Sequence, residues 1–208
     1  MSWINHKPLR GAFYSRIFQK FGNNFIAREV NKDNILRVSQ NAAAKFERLC
    51  MPHLDAAYNL ALWLCRDESA ADDIVQESYL RAFKAMNRFD EQYPRAWLLA
   101  IVRNQSYNWL KKSARHVRLD DMADDALVEL SDTADVAMET QQDIESVRSA
   151  IAELPEVFRE VVVLGDMEGL PYAQIASVIG LPIGTVMSRL SRGRGMIKKA
   201  LMDKNHGR

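Results

Sequence analysis

The stretch from Pro171 to Leu201, PYAQIASVIGLPIGTVMSRLSRGRGMIKKAL, narrows what this chain can fold into more than any other. Ala176, Gly180 and Val186 stand four and then six residues apart. At that spacing a small residue lets two helices cross, a glycine turns the chain and a β-branched residue plugs the crossing. Pro171 and Pro182 each suit the first turn of a helix, where a missing N–H costs nothing. The stretch therefore reads as a helix-turn-helix. At about 100° per residue, Ile183, Val186, Leu190, Ile197 and Leu201 fall on one side of the second helix and are expected in a core. Thr185, Ser188, Arg189 and Arg192 fall on the other, with hydroxyls first and guanidiniums one and two turns on, which suits base edges and phosphates in a major groove. The plainer alternative is an amphipathic surface helix. It is disfavoured because Arg189, Arg192, Arg194, Lys198 and Lys199 follow one another with no acid among them, so no i,i+4 pairing relieves their repulsion.

A chain of 208 residues with 48% hydrophobic content is globular and long enough for two cores. Its net charge of only +1 hides a strong segregation of charge along the sequence. Cys50 and Cys65 are too few for a disulfide framework or a thiolate metal cage. Cys50 and His53 have the spacing of half a metal site, but no second pair follows, so both are read as packing and no metal or cofactor is assigned. No secretory signal and no bilayer-length apolar run is present, so the expected location is cytoplasmic, without stable membrane insertion.

Residues 1–44 mix Lys7, Arg10, Arg16, Lys20 and Arg28 with Phe13, Tyr14, Phe18, Phe21 and Phe25, and glycines and asparagines interrupt any long helix. They are read as a poorly ordered extension. Residues 45–118 are densely helical. Phe46 to Leu64 forms a helix or helix pair broken at Pro52. A second helix is expected from a capping box at Ser69 and Asp72 to about Phe89. It buries Ala71, Val75, Tyr79, Ala82, Phe83 and Met86, and turns Asp73, Gln76, Glu77, Arg81 and Lys84 outward. Glu77 and Arg81 can pair, whereas Asp73 and Glu77 repel.

The third helix, Pro94 to about Lys112, gathers Leu98, Leu99, Val102, Trp109 and Leu110 in one arc of about 140°, with Trp109 expected in the core. Trp97, Arg103, Asn104, Tyr107, Asn108 and Lys111 share the remaining arc. Rings among amides and cations suit unpaired nucleic acid, because rings stack on bases while cations follow phosphates. Tyr107 is expected to be exposed; Trp97 could equally cover a neighbouring helix. Residues 119–146 hold ten acids and, from Asp120 to Glu145, no Lys or Arg, as in an acidic linker. Residues 147–208 form the second unit, in which Val157, Phe158, Val161, Val162 and Leu164 are expected to cover the helix-turn-helix.

The segments ADDIVQESYLRAF (Ala71 to Phe83), RAWLLAIVRN (Arg95 to Asn104), AIAELPEVFREVVVL (Ala150 to Leu164) and GLPIGTVMSRLSRGR (Gly180 to Arg194) carry a resemblance. In order and separation they are similar to regions 2 and 4 of the extracytoplasmic-function (ECF) group of bacterial sigma-70 factors. The resemblance covers about Phe46 to Leu201. It implies an all-α chain of two helical domains joined by the acidic linker. Such a chain binds core RNA polymerase and initiates transcription at the promoter DNA of a stress or envelope-response regulon. It implies core polymerase docking through Asp72, Asp73, Gln76 and Glu77. Minus-10 recognition and melting would fall to Trp97, Arg103, Asn104, Tyr107, Asn108 and Lys111 with the loop Phe89 to Tyr93, and minus-35 recognition to Thr185, Ser188, Arg189 and Arg192. An anti-sigma partner is implied too, and the linker is expected to lie as a polyanion in the polymerase RNA path. The chain departs from the family pattern at Met187 (often Lys), Gln174 (Glu), Gly193 (Ala), Asn108 (Asp) and Lys111 (Arg).

A plain helix-turn-helix regulator is the alternative; it would need a dimer surface or ligand pocket in place of a docking face. An enzyme is not expected. His6, His53, His116 and His206 have no nearby carboxylate or nucleophile partner, and neither a glycine-rich phosphate loop nor paired catalytic carboxylates appear.

Overall fold

The computed structural model describes residues 43–117 and 138–206, all of whose regular elements are helical. Residues 1–42 of the predicted N-terminal extension and the acidic stretch from Asp120 to Asp135 lie outside the described residues, while residues 43–44, expected in that extension, are helical. Helix α1 spans 43–50 and passes through a 3-10 turn, Met51–His53, into α2, Leu54–Cys65. Pro52 sits in the first positions of that turn, where it displaces no hydrogen bond. Helix α3, Glu68–Ala85, starts one residue before the expected box. Its cap is Asp67, whose carboxylate accepts from the Ala70 amide at 2.8 Å, and not Ser69. Asp67 stands two residues before Ser69 and has the extended backbone that an N-cap requires. Helix α4, Pro94–Val117, runs farther than expected.

These helices make the first core. Tyr79 is fully buried, and its hydroxyl donates to the Cys50 carbonyl at 3.0 Å. Phe46 meets Tyr79 and Phe83 edge to face, with centroids 5.8 and 5.3 Å away. Leu98, Leu99 and Val102 of α4 complete the centre at zero exposure, while Trp109 and Leu110, expected beside them, are only half-buried. Both cysteines are buried free thiols; burial pushes Cys50 up to about 12 and Cys65 to about 11, so neither is a ready nucleophile.

The second domain begins earlier than the charge pattern implies, because α5 spans Met138–Ala152 and takes in the end of the predicted linker. Helix α6, Glu156–Val162, continues through a π-helical turn, Val163–Met167. Helix α7, Tyr172–Ile179, ends at Gly180 in the left-handed region (φ +68°), and α8, Ile183–His206, leaves at 101° to it. Only glycine holds that turn without cost. Val186 and Leu190 of α8 are buried with Val161, Val162 and Leu164. Ile183, expected in this core, is 47% exposed, and Val157 is also exposed. Both stand in the first turn of their helices, ahead of the close crossing. Gly193 sets the α6–α8 distance: a Cβ there would lie 2.9 Å from Val162 Cγ2.

The two domains pack together. Helix α4 lies on α7, and α2 on α6 and the π turn.

Candidate nucleic-acid interface

Three surfaces matter, and α8 carries the first. Ser188 and Arg192 are exposed on it, Thr185 and Arg189 half-buried, and the Ser188 hydroxyl donates to the Thr185 carbonyl at 3.0 Å. Met187 stands among them, 53% exposed. One cation of the basic run has an acid after all, since the Arg194 guanidinium forks onto Asp166 across the domain, with Nε at 3.0 Å. The partner lies on the π turn, out of sight of any i,i+4 test, and its hydrogen bond and charge raise the Arg194 pKa. Arg194 is thus committed to structure.

The second surface is the loop between α3 and α4 together with α4 itself. Phe89 is buried and stacks on Trp97, centroids 4.3 Å apart and planes 18° from parallel, so Trp97 anchors the loop. Glu91 and Tyr93 both hold positive φ (64° and 49°). Non-glycine residues persist there only when their surroundings hold them. Lys45 and Arg48 of α1 grip Glu91 at 3.0 and 3.2 Å, and the Lys45 hydrogen bond is the main reason its carboxyl lies below the ordinary range. Tyr93 is 63% exposed. A cleft of about 750 Å³ runs from Phe89, Tyr93 and Trp97 to Ala173, Gln174 and Ser177 of α7.

The arc of α4 residues read as one exposed face is in fact divided. Asn104, Asn108 and Lys111 are exposed. Asn104 joins Arg81, Lys84 and Arg88 around an open groove of about 450 Å³. Arg103 and Tyr107 point the other way, into the second domain. Arg103 donates to Glu160 through Nε, with Nη2 at 3.5 Å, and the Tyr107 hydroxyl donates to the same carboxylate at 3.2 Å. The Arg103 guanidinium lies over the Tyr107 ring, 4.6 Å from its centroid. Burial alone would lower the Arg103 pKa, but the Glu160 hydrogen bond and charge outweigh it and hold it above the ordinary value. Burial and then the Glu160 charge raise the Tyr107 phenol. Tyr107 is therefore not the exposed residue expected of it. Helical projection gives the direction of a side chain but not what another domain brings there.

The third surface is the outer side of α3, where Asp73 and Glu77 are exposed and Asp72 and Gln76 half-buried. Arg81 reaches Glu77 at 2.9 Å. Among the described residues no group of His, Cys, Asp and Glu could hold a metal ion, and no single helix is long and apolar enough to cross a membrane.

A family model for sigma-70 region 2 matches residues 49–116 and one for sigma-70 region 4 matches 144–197. The RNA polymerase sigma-H factor of Pseudomonas aeruginosa is 31% identical over 85% of this chain and 96% of its own length. The chain belongs to the ECF sigma factors. The ECF sigma factor SigE of Mycolicibacterium smegmatis is 28% identical over 78% of this chain, which spans 63% of that protein's length. Among solved structures, the sigma factor RpoE in complex with the anti-sigma factor NepR from Bartonella quintana is 25% identical, with a TM-score of 0.64 over 76% of this chain and 96% of that one. CnrH in complex with the cytosolic domain of CnrY is also 25% identical, with a TM-score of 0.55 over 80% and 95%.

Within this sigma factor, one departure from the family pattern has a plain structural reason: Gly193 stands where the family often has alanine because Val162 occupies the space of a Cβ. Sequence reasoning missed Arg88 and the part of Arg81 and Lys84 in the groove beside Asn104. The signal available was the recurrence of Arg81, Lys84 and Arg88 at three and four residues, one helix face running off the end of α3. It also missed Arg159 and Glu160, charged yet buried. A hydrophobic run on both sides of them gave no cue.

Proposed function

We propose that this sigma factor binds core RNA polymerase and directs it to the promoters of a stress or envelope-response regulon in the cytoplasm. The observation that carries the reading is the separation of an exposed acidic face on α3 from an exposed hydroxyl-and-guanidinium face on α8, each within its own matched domain. Asp72, Asp73, Gln76 and Glu77 dock on a basic surface of the polymerase, where opposite charge speeds association. Thr185, Ser188, Arg189 and Arg192 read the minus-35 duplex. Trp97, Arg103, Asn104, Tyr107, Asn108 and Lys111, with the Phe89–Tyr93 loop, take the minus-10 strands apart and hold the unpaired bases. Solved relatives bound to anti-sigma proteins support an anti-sigma partner here as well. The test is transcription from fragmented genomic DNA by core polymerase with and without the purified chain, with transcript starts mapped. New starts sharing two upstream boxes are expected; a chain that binds duplex DNA but creates no starts would be a plain helix-turn-helix regulator.

A further inference from the structure

Two carboxylates of the second domain occupy the cationic side of α4. Glu160, 1% exposed, takes Arg103 and the Tyr107 hydroxyl. Glu168, 8% exposed, takes Arg95 and accepts from the Asn59 amide at 3.1 Å. The register is matched: Arg95 and Arg103 are eight residues apart on α4, and Glu168 and Glu160 are eight apart in the facing segment, running antiparallel. A third contact, Arg66 to the Ala152 carbonyl at the end of α5, closes the same seam. A carboxylate offers arginine two in-plane oxygens, as a phosphate does. Arg103, laid over the Tyr107 ring, closes one of its two faces to a stacking base. A buried carboxylate needs such partners, because one left alone in a seam is strongly destabilising.

We propose that Glu160 and Glu168 stand in for nucleic-acid phosphate, holding the second domain over the strand-separating side of α4 until single-stranded DNA replaces them. This rests on the reading of Arg103 and Tyr107 as contacts to unpaired DNA. The α8 reading face lies outside the seam, and Asn104 with Arg81, Lys84 and Arg88 stays open. The closed chain therefore keeps partial access to DNA, and masking lowers affinity without abolishing it.

The experiment uses the full chain with Glu160→Gln and Glu168→Gln together, which keep the shape and remove both charges. Small-angle scattering follows closure, and fluorescence anisotropy of labelled oligo(dT) follows binding. A larger radius of gyration and about tenfold tighter oligo(dT) binding are expected. Unchanged or weaker binding, whatever the scattering shows, overturns the proposal. Should circular dichroism show that the double variant does not fold, Glu168→Gln alone is used, with about threefold tighter binding expected and unchanged binding again overturning it. Tyr107→Ala, made in both the parent and the opened variant, separates the two claims. If it weakens oligo(dT) binding while the Gln variants gain nothing, the masking fails and the DNA role of Tyr107 stands. If it changes nothing in either background, the DNA role fails and the masking with it.

Discussion

Single side chains decide several properties of this molecule. Gly193 lies where α8 touches α6, and alanine would gain up to about 1 kcal/mol of helix propensity. Its Cβ, however, would meet Val162 at 2.9 Å, and a β-branched helical side chain at 1% exposure strongly prefers one rotamer, so moving it is costly. Gly193→Ala is therefore expected to lower stability by about 1 to 2 kcal/mol net, checked by urea unfolding; a stabilised variant would show that the helices separate freely. His53 sets a pH dependence. Burial, and then the charge of Arg95, lower its pKa from 6.5. Between that lowered value and about 6.5 the unfolded chain binds more protons, so this contribution is complete above about pH 6.5 and is lost as pH falls through the folded pKa. The difference in Tm between the parent and His53→Gln should shift against the parent from about pH 7 to pH 5. A difference constant with pH would remove His53 as the cause. On α8, Arg189→Ala should cost about 1 to 3 kcal/mol at preferred minus-35 sequences with reduced discrimination, read by competition binding. An equal loss on all sequences would make Arg189 a phosphate contact.

At the scale of elements, α3 is committed inward through Ala71, Val75, Tyr79 and Ala82 and outward through Asp73 and Glu77. Reversing Asp73 and Glu77 to Lys leaves the inner face alone, and mutual repulsion along the helix is only a few tenths of a kcal/mol. The variant should keep its circular dichroism and lose capture of core polymerase in a pull-down; undiminished capture would remove α3 from the docking surface. Most elements were legible in the sequence. The turn at Gly180, the break at Pro52 and the buried stripe of α3 each follow from the backbone or the period of one segment. The start of α5 was not, because acids that read as linker also favour a helix N-terminus. Nor was the division of α4, since that depends on Glu160, which is distant in sequence and arrives only when the domains pack.

The whole molecule is asymmetric toward DNA. The seam takes up α2, α4, α6 and α7, while α8 packs within its own domain and keeps Ser188 and Arg192 exposed. Opening the seam should therefore leave affinity for minus-35 duplex within about twofold, as expected for sites that share no partners. A large change in duplex binding for the Glu160→Gln, Glu168→Gln variant would mean that closure also governs the reading helix. The π turn at Val163–Met167 lies between those two carboxylates, and its wide hydrogen bond, Glu168 N–H to the Val163 carbonyl at 2.9 Å, accommodates one residue more than an α turn would. Loss of a single codon there would let the helix run on as a regular α-helix with the residues beyond it facing nearly as before, because the wide turn already absorbs the extra residue. The π turn is thus a place where the chain can change length by one residue while both carboxylates keep their arginines.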